Sequence, residues 1–451
     1  MKGNTTRGIF NNGVANITQK ILRVLDQLLL IPFFLKSWGA AYYGEWLTLT
    51  IIPSILAFSD LGFGSAVSNS FILAYASGDK QKAANLSKSG LLIISCSICI
   101  GALLTIGVLL VGKHIHLFEK SLIPIKEAMT AVTFLMIAKL FSFYNQLIEG
   151  YYRGARKAAL GSFISSGQHA INLVTGLCVL YAGCGIIGYS LSQLIVSLLF
   201  TVTYFIIGNR MVELRGFKGI ITCADIRMII TKGLGYIMSP IWQSIYFQGG
   251  TFVVRLTLGP ESVAVFNTIR TVCRSVNQIF TVIEGSILPE LQYEYGKGNI
   301  SKVHRLFRIA ILLSMCIGII GIIFLFLFGL DIYAVWTQNI LSVSKGVWFV
   351  FVTGVLFNAV WWTSIVTYRI TNQPYHFAIS STITACLSVG SSYFLSIHLG
   401  LLGAALGAVL FDVIMMFYVL PDSCHLLGMR TKDLFSHIKA DCSFLSQKLS
   451  R

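Results

Sequence analysis

Apolar residues run along this chain in long blocks separated by short polar stretches. A helix rising ~1.5 Å per residue needs about 20 such residues to cross the hydrocarbon layer of a bilayer. Twelve blocks reach that length, at about 12–35, 46–76, 89–112, 127–149, 158–181, 185–208, 233–258, 262–288, 306–329, 346–369, 375–398 and 400–421. The second, seventh, eighth and tenth are long or polar enough to protrude, bend or tilt. Pro53 and Pro240 fall inside two of them. Each removes an N–H and frees a backbone carbonyl, so kinks are predicted there.

Within five blocks the polar residues recur at the spacing of one helix face. The first carries Asn16, Gln19, Arg23, Asp26 and Gln27, and the fourth carries Lys139, Ser142, Gln146 and Glu149. The fifth has Ser162, Ser165, His169 and Asn172, and the seventh Ser244, Gln248, Thr251 and Arg255. The eighth is the most polar, with Asn267, Arg270, Arg274, Asn277, Thr281 and Glu284. Ionisable groups at bilayer depth face a partner or a water-filled cavity. The stripes therefore predict a wet interior made cationic by Arg23, Lys139, Arg255, Arg270 and Arg274.

The blocks also repeat. Ser59–Lys82, with Asp60, Gly62 and Gly64 among small residues, ends in the turn Gly78-Asp79. A similar stretch, Phe280–Lys302, ends in Gly298-Asn299, 220 residues later. Lys82 and Lys302, Gly39 and Gly259, and Trp46 and Phe266 share that offset. Arg153 and Arg369 correspond at an offset of 216, and Gly185 and Gly188 correspond to Gly400 and Gly403 at 215. This is the signature of a duplicated unit. Six spans per copy keep both copies in one orientation, which predicts parallel repeats around a central cavity. The expected fold is an all-α membrane protein of twelve helices. Its parts are a six-helix lobe (1–208), a cytoplasmic linker (209–232) lying against the membrane, a second lobe (233–421) and a basic cytoplasmic tail (422–451).

Composition agrees, with 55% hydrophobic and 12% charged residues and a mean hydropathy of +0.75. Soluble proteins are about 25% charged. Lysine and arginine crowd alternate loops, and that asymmetry places both termini in the cytoplasm. The net charge of +16 thus reads as topology and attraction to membrane lipid rather than nucleic-acid binding. No cleavable signal is read ahead of the first span. The ten cysteines form no CxxC motif and no histidine-bearing metal pattern, so neither a metal nor a disulfide framework is expected.

A cationic cavity suits a pyrophosphate: arginine offers paired planar donors and lysine a point charge. Arg23, Arg270 and Arg274 are the expected contacts, with Lys139 and Arg255 attracting the ligand. Trp336, Trp361, Trp362 and Tyr368 are candidates to hold sugars. Simpler readings stand beside these. Arg23 and Asp26 have the spacing of an ion pair, and Arg274 has Glu149 as a candidate carboxylate. Glu284 and Glu290 read as solvated residues near the cytoplasmic end. Gly62, Gly64 and Ala66 suit close helix contact. Asp412, deep in the last span, has no local partner in sequence; it and Asp26 are candidates for a coupling-ion site. Pro53, Pro240 and the helix holding Asp60, Gly62 and Gly64 are the expected bending points.

The DLGFGSAVSN helix, the GDKQKA turn, the YYRGARK segment and the GxxG hairpin resemble a known family. It is the polysaccharide-transporter branch of the multidrug/oligosaccharidyl-lipid/polysaccharide (MOP) exporter superfamily, with O-antigen flippases of the Wzx type as the nearest likeness. The resemblance covers nearly the whole chain and implies a MATE-like arrangement in the bacterial inner membrane. It further implies alternating-access movement of an undecaprenyl-pyrophosphate-linked oligosaccharide from the cytoplasmic to the periplasmic leaflet, beside other polysaccharide-assembly proteins. No cofactor is expected, and a proton or sodium gradient would reset the cycle. Lipid II flippases usually carry two further helices, which weighs against that assignment. A drug or organic-cation antiporter of the same superfamily is the alternative, and its cavity should be acidic. A polymerase would need a large outer loop, and a scaffold no wet helix faces. No Walker loop or nucleophile–base constellation points to an ATP-driven pump or an enzyme.

Overall fold

The computed structural model describes residue 25 and residues 28–56, 62–114, 122–214, 216–236, 238–371 and 373–436. Arg23, Asp26 and Asp60 lie outside them, as does the whole of the first polar stripe. Among the described residues the regular secondary structure is entirely helical, and the chain forms two compact units, Met1–Ile241 and Trp242–Arg451.

The first unit holds α1 (28–49), α2 (Ile51–Leu56), α3 (Phe63–Ala76), α4 (Lys80–His114), α5 (Ile125–Phe141), α6 (Phe143–Gly154), α7 (Ala158–Tyr181), α8 (Gly185–Met211) and α9 (Cys223–Tyr236). The second begins within α10 (Met238–Ser244), which runs through a π-helical turn, Ile245–Gly249, into α11 (Gly250–Leu258). It continues with α12 (Pro260–Gly296), α13 (Ile300–Trp336), α14 (Lys345–Ser364), α15 (Val366–Ile370), α16 (Pro374–Leu399), α17 (Leu401–Leu426) and α18 (Asp433–Ser436).

The two units turn at matching glycines. Gly39 and Gly259 adopt φ of +72° and +85°, Gly78 and Gly298 +86° and +73°, and Gly185 and Gly400 +64° and +59°. Only glycine enters that region without steric cost. Trp46 and Phe266, also in register, are both buried. The duplication read in the sequence thus reappears as backbone geometry.

Eight helical segments among the described residues are long and apolar enough to cross a membrane, and they identify a multi-pass membrane protein. Four lie in each unit: Lys80–Gly107, Ile125–Gly154, Ala158–Tyr181 and Gly185–Met211, then Ile300–Trp336, Lys345–Ile370, Tyr375–Leu399 and Leu401–Leu426. They coincide with the last four spans expected in each copy. Of the first two expected in each copy, 12–35 lies mostly and 46–76 partly outside the described residues, while 233–258 is interrupted and 262–288 is polar. Thr50 breaks the helix before α2, and Pro53 three residues on cannot donate back to Leu49. Pro240 lies in the first turn of α10, where a missing N–H costs little. The block 262–288 lies within one helix of 37 residues, α12, and carries Arg270, Arg274 and Glu284.

Small residues bring the apolar helices together. A Cβ on Gly403 would lie 2.0 Å from the Leu395 carbonyl oxygen, and one on Gly407 2.3 Å from the Ser392 nitrogen. Ser388 donates to the carbonyl of Gly407 at 2.7 Å, which completes a small-xxx-small crossing of α16 and α17. Gly64 and Gly150 do the same for α3 and α6, against Gln146 and Ser68. The opposite faces are apolar and exposed: Leu103, Leu104, Ile320, Leu327 and Phe394 each expose more than half of their surface. Such a belt is stable in lipid, not in water.

The described residues of 212–220 are bonded to α3 and α4, the first of these contacts being the Glu213 N–H donating to the Tyr75 hydroxyl at 3.2 Å. Asn85 Oδ1 accepts the Ile220 N–H at 2.9 Å, and Gln81 Nε2 donates to the Lys218 carbonyl at 2.9 Å. Lys80 pairs with Glu213 at 3.1 Å. A Cβ on Gly219 would meet the Ala84 carbonyl oxygen at 2.5 Å, so glycine admits the strap at this point.

Candidate functional site

The π-helical turn opens the site. Shifting from i→i−4 to i→i−5 bonding widens one turn of the helix and turns main-chain groups outward, a feature frequent at functional sites. Here Arg270 of α12 donates from Nη1 to the Phe247 carbonyl at 3.1 Å. Its Nη2 donates to Thr251 Oγ1 at 3.0 Å and to Asn267 Oδ1. The guanidinium also lies 5.1 and 5.2 Å from the ring centres of Phe247 and Phe266. Arg270 is thus spent on holding the turn.

Arg274 stands one helical turn further along the same face. Its guanidinium lies 4.2 Å from the Phe247 ring centre and makes no hydrogen bond or ion pair with any described residue. It is exposed to the adjoining space. That space is a cavity of about 100 Å³ inside the second unit, lined by α10, the π turn, α12, α14 and α17. Arg270, Arg274 and Asn277 line one side. Trp242, Tyr246, Phe351, Trp361, Trp362 and Phe411 supply aromatic walls.

Asp412 lines the same cavity from α17. Asn358 Nδ2 and Trp361 Nε1 of α14 each donate to its Oδ1 at 2.9 Å. Its Oδ2 takes no hydrogen bond from a described residue. Asp412 therefore has partners on the neighbouring helix that no local reading of the last span could supply. Four more polar atoms of the lining are buried without a hydrogen-bond partner: Asn277 Oδ1, Asn358 Oδ1, Trp242 Nε1 and Trp362 Nε1. Buried polar atoms are nearly always satisfied in native proteins, so such a cluster points to a ligand or water.

The structure sorts the expected site residues. Arg270, Arg274 and Asp412 meet at one cavity. Arg255 on α11 is absent from its lining, and Lys139 sits on α5 in the other unit. Glu149 is not the partner of Arg274: it pairs with Arg153, one turn along its own helix. Glu284 is not solvated; it is buried and pairs with Arg369 Nη1 at 2.8 Å. Trp361 and Trp362 line the cavity, whereas Trp336 and Tyr368 do not. The buried Tyr368 hydroxyl instead donates to Asp422 Oδ2 at 2.8 Å. Gly62 begins α3 with φ +72°. Asn358 was missed; its one sequence signal is an amide one turn before Trp361 in an otherwise apolar run. No cluster of metal-ligating residues occurs among the described residues.

No known family profile matches the sequence, and no curated protein matches it. Solved structures do. An inward-facing multidrug resistance MATE family transporter of the MOP superfamily superposes with a TM-score of 0.72 at 17% identity, over 91% of this chain and 94% of the other. An outward-facing MATE family transporter gives 0.65 at 17% identity, over 93% and 95%. A MOP superfamily transporter from Pyrococcus furiosus, described as having a binding pocket of reverse polarity that suggests a different function, gives 0.62 at 15% identity, over 93% and 95%. The fold is therefore MATE-like.

Proposed function

We propose that this protein is a MOP-superfamily transporter that moves an amphiphile with an anionic head group across the membrane. The carrying observation is the Arg274 guanidinium, which faces the cavity without an ion-pair or hydrogen-bond partner among the described residues. A cation left unpaired at membrane depth is costly and is kept where a ligand neutralises it. A phosphate matches its planar paired donors. Among such amphiphiles, a polyprenyl-pyrophosphate-linked oligosaccharide fits best, because the aromatic and amide walls suit sugars beside the phosphate. The likeness to polysaccharide transporters in the DLGFGSAVSN and YYRGARK segments supports the same choice.

In this reading the chain is no enzyme. It lies in the bacterial inner membrane with both termini cytoplasmic and works by alternating access, reset by a proton or sodium gradient. Asp412 favours a second reading, export of an organic cation, which the multidrug description of two structural neighbours also suits.

Complementation separates the two. A strain lacking its surface-polysaccharide flippase regains polymer with the wild-type protein and loses it with Arg274→Gln at equal protein level. Drug resistance conferred by the wild type without polymer would transfer the assignment to the cation exporter, and polymer restored equally by Arg274→Gln would remove Arg274 as the head-group contact.

A further inference from the structure

The cavity is two-sided, and the side away from Arg274 has its own chemistry. Asp412 is held by two donors on one oxygen, Asn358 Nδ2 and Trp361 Nε1 at 2.9 Å, and keeps its Oδ2 unengaged by described residues. No salt bridge joins it to either arginine of the cavity among the described residues. The Asn358 amide oxygen and the indole N–H of Trp362, both on α14, lie buried without partners, as does the Asn277 amide oxygen on the arginine side.

An oriented carboxylate, amide acceptors and flat aromatic walls together form the pattern that binds a sugar ring. The carboxylate and amides accept from hydroxyl groups, and the C–H face of the ring packs on indole. An inorganic phosphate could use Arg274 but would be repelled by Asp412 and would leave the acceptors empty. An organic cation could use Asp412 but not the guanidinium. A phosphate joined to a sugar uses both sides at once. The volume, about 100 Å³, has room for several waters.

We infer that Asp412, with Asn358 and Trp361 positioning it, forms a subsite for the hydroxyl groups of the phosphate-linked sugar. This rests on the anionic-head-group reading above, and it adds the side chains of α14 and α17 that would hold the sugar.

The test uses the full-length protein in nanodiscs, titrated with glucose 1-phosphate, N-acetylglucosamine 1-phosphate, glycerol phosphate and inorganic phosphate. Binding is read by quenching of tryptophan fluorescence and by calorimetry. A glycosyl phosphate should bind the wild type roughly tenfold or more tightly than inorganic phosphate, the scale of hydrogen bonds to a charged group. Asp412→Asn should remove most of that gain while inorganic phosphate binds no more weakly than before. Arg274→Gln should weaken every phosphate ligand. A sugar gain that survives Asp412→Asn, or no sugar gain in a wild type that binds phosphate, overturns the subsite alone. If the folded wild type binds no phosphate ligand at all, the anionic reading falls and the subsite with it. Thermal melting of Asp412→Asn and Asp412→Ser shows whether either variant remains folded. If neither does, Asn358→Leu takes its place with the same expected loss of sugar gain, because it withdraws one of the donors that orient Asp412.

Discussion

Arg270 and Arg274 stand one turn apart on the same helix, yet their surroundings divide their roles. Arg270 donates to a main-chain carbonyl of the π turn, to Thr251 and to Asn267, whereas Arg274 meets only an aromatic ring. Losing hydrogen bonds to a charged group costs about 1.5–3 kcal/mol. Arg270→Ala should therefore lower the melting temperature in detergent by several degrees, while Arg274→Ala should shift it little and abolish polymer export. Equal melting of both variants would put Arg270 back among the ligand contacts. A second residue-level expectation concerns Glu294, whose carboxylate is held below its usual range, first by a hydrogen bond from Lys302. Lys302 Nζ lies 2.7 Å from it, and Asn299 Nδ2 donates to it at 3.0 Å. With the folded-state pKa depressed, this contact stabilises the protein above the unfolded-state value and is lost as pH falls through the folded one. Melting temperature followed from pH ~7 to ~3 should fall more steeply in the wild type than in Lys302→Met, which starts lower. Parallel curves would show that the pairing contributes nothing.

Among the elements, the long apolar helices were legible because hydropathy alone defines them. The α13 block is so uniformly apolar that no tertiary contact could override it. The interrupted elements were not. The π turn depends on Arg270 reaching across from another helix, and no residue within Ile245–Gly249 announces it. Glu284 looked solvated because its partner, Arg369, lies on α15, far away in sequence. The contacts of the strap 212–220 were not legible for the same reason: the side chains that bond the Ile220 N–H and the Lys218 carbonyl, Asn85 and Gln81, belong to α4. Removing one of those bonds costs about 1 kcal/mol. Asn85→Ala should raise the rate of tryptic cleavage after Lys218 about fivefold through local release. An unchanged rate would mean that the strap is held by the packing at Gly219 alone.

Across the whole molecule, duplication and function pull apart. Three turns of the two units match glycine for glycine, but the charged cavity residues have no charged counterparts. At the offset of 220, Arg270 and Arg274 correspond to Thr50 and Ser54, and at 215 Asp412 corresponds to Ser197. The first-unit residues bond back to their own surroundings: Thr50 Oγ1 to the Leu47 carbonyl at 2.7 Å, Ser54 Oγ to the Thr50 carbonyl at 2.8 Å and Ser197 Oγ to the Ala138 carbonyl at 3.0 Å. These are ordinary hydroxyl bonds of helices in an apolar setting. A scaffold copied twice thus carries this charged site in one copy. Export should follow the same asymmetry. Thr50→Ala and Ser54→Ala should leave polymer export within about twofold of wild type, since each removes at most one weak hydroxyl bond. Arg274→Ala should cut it by more than tenfold, the loss expected when a charged hydrogen bond to the ligand disappears. The comparison is made at matched protein level in the same flippase-deficient strain. If the first-unit variants fail as badly as Arg274→Ala, the two copies share the work, and the second-unit cavity is not the place where the head group is recognised.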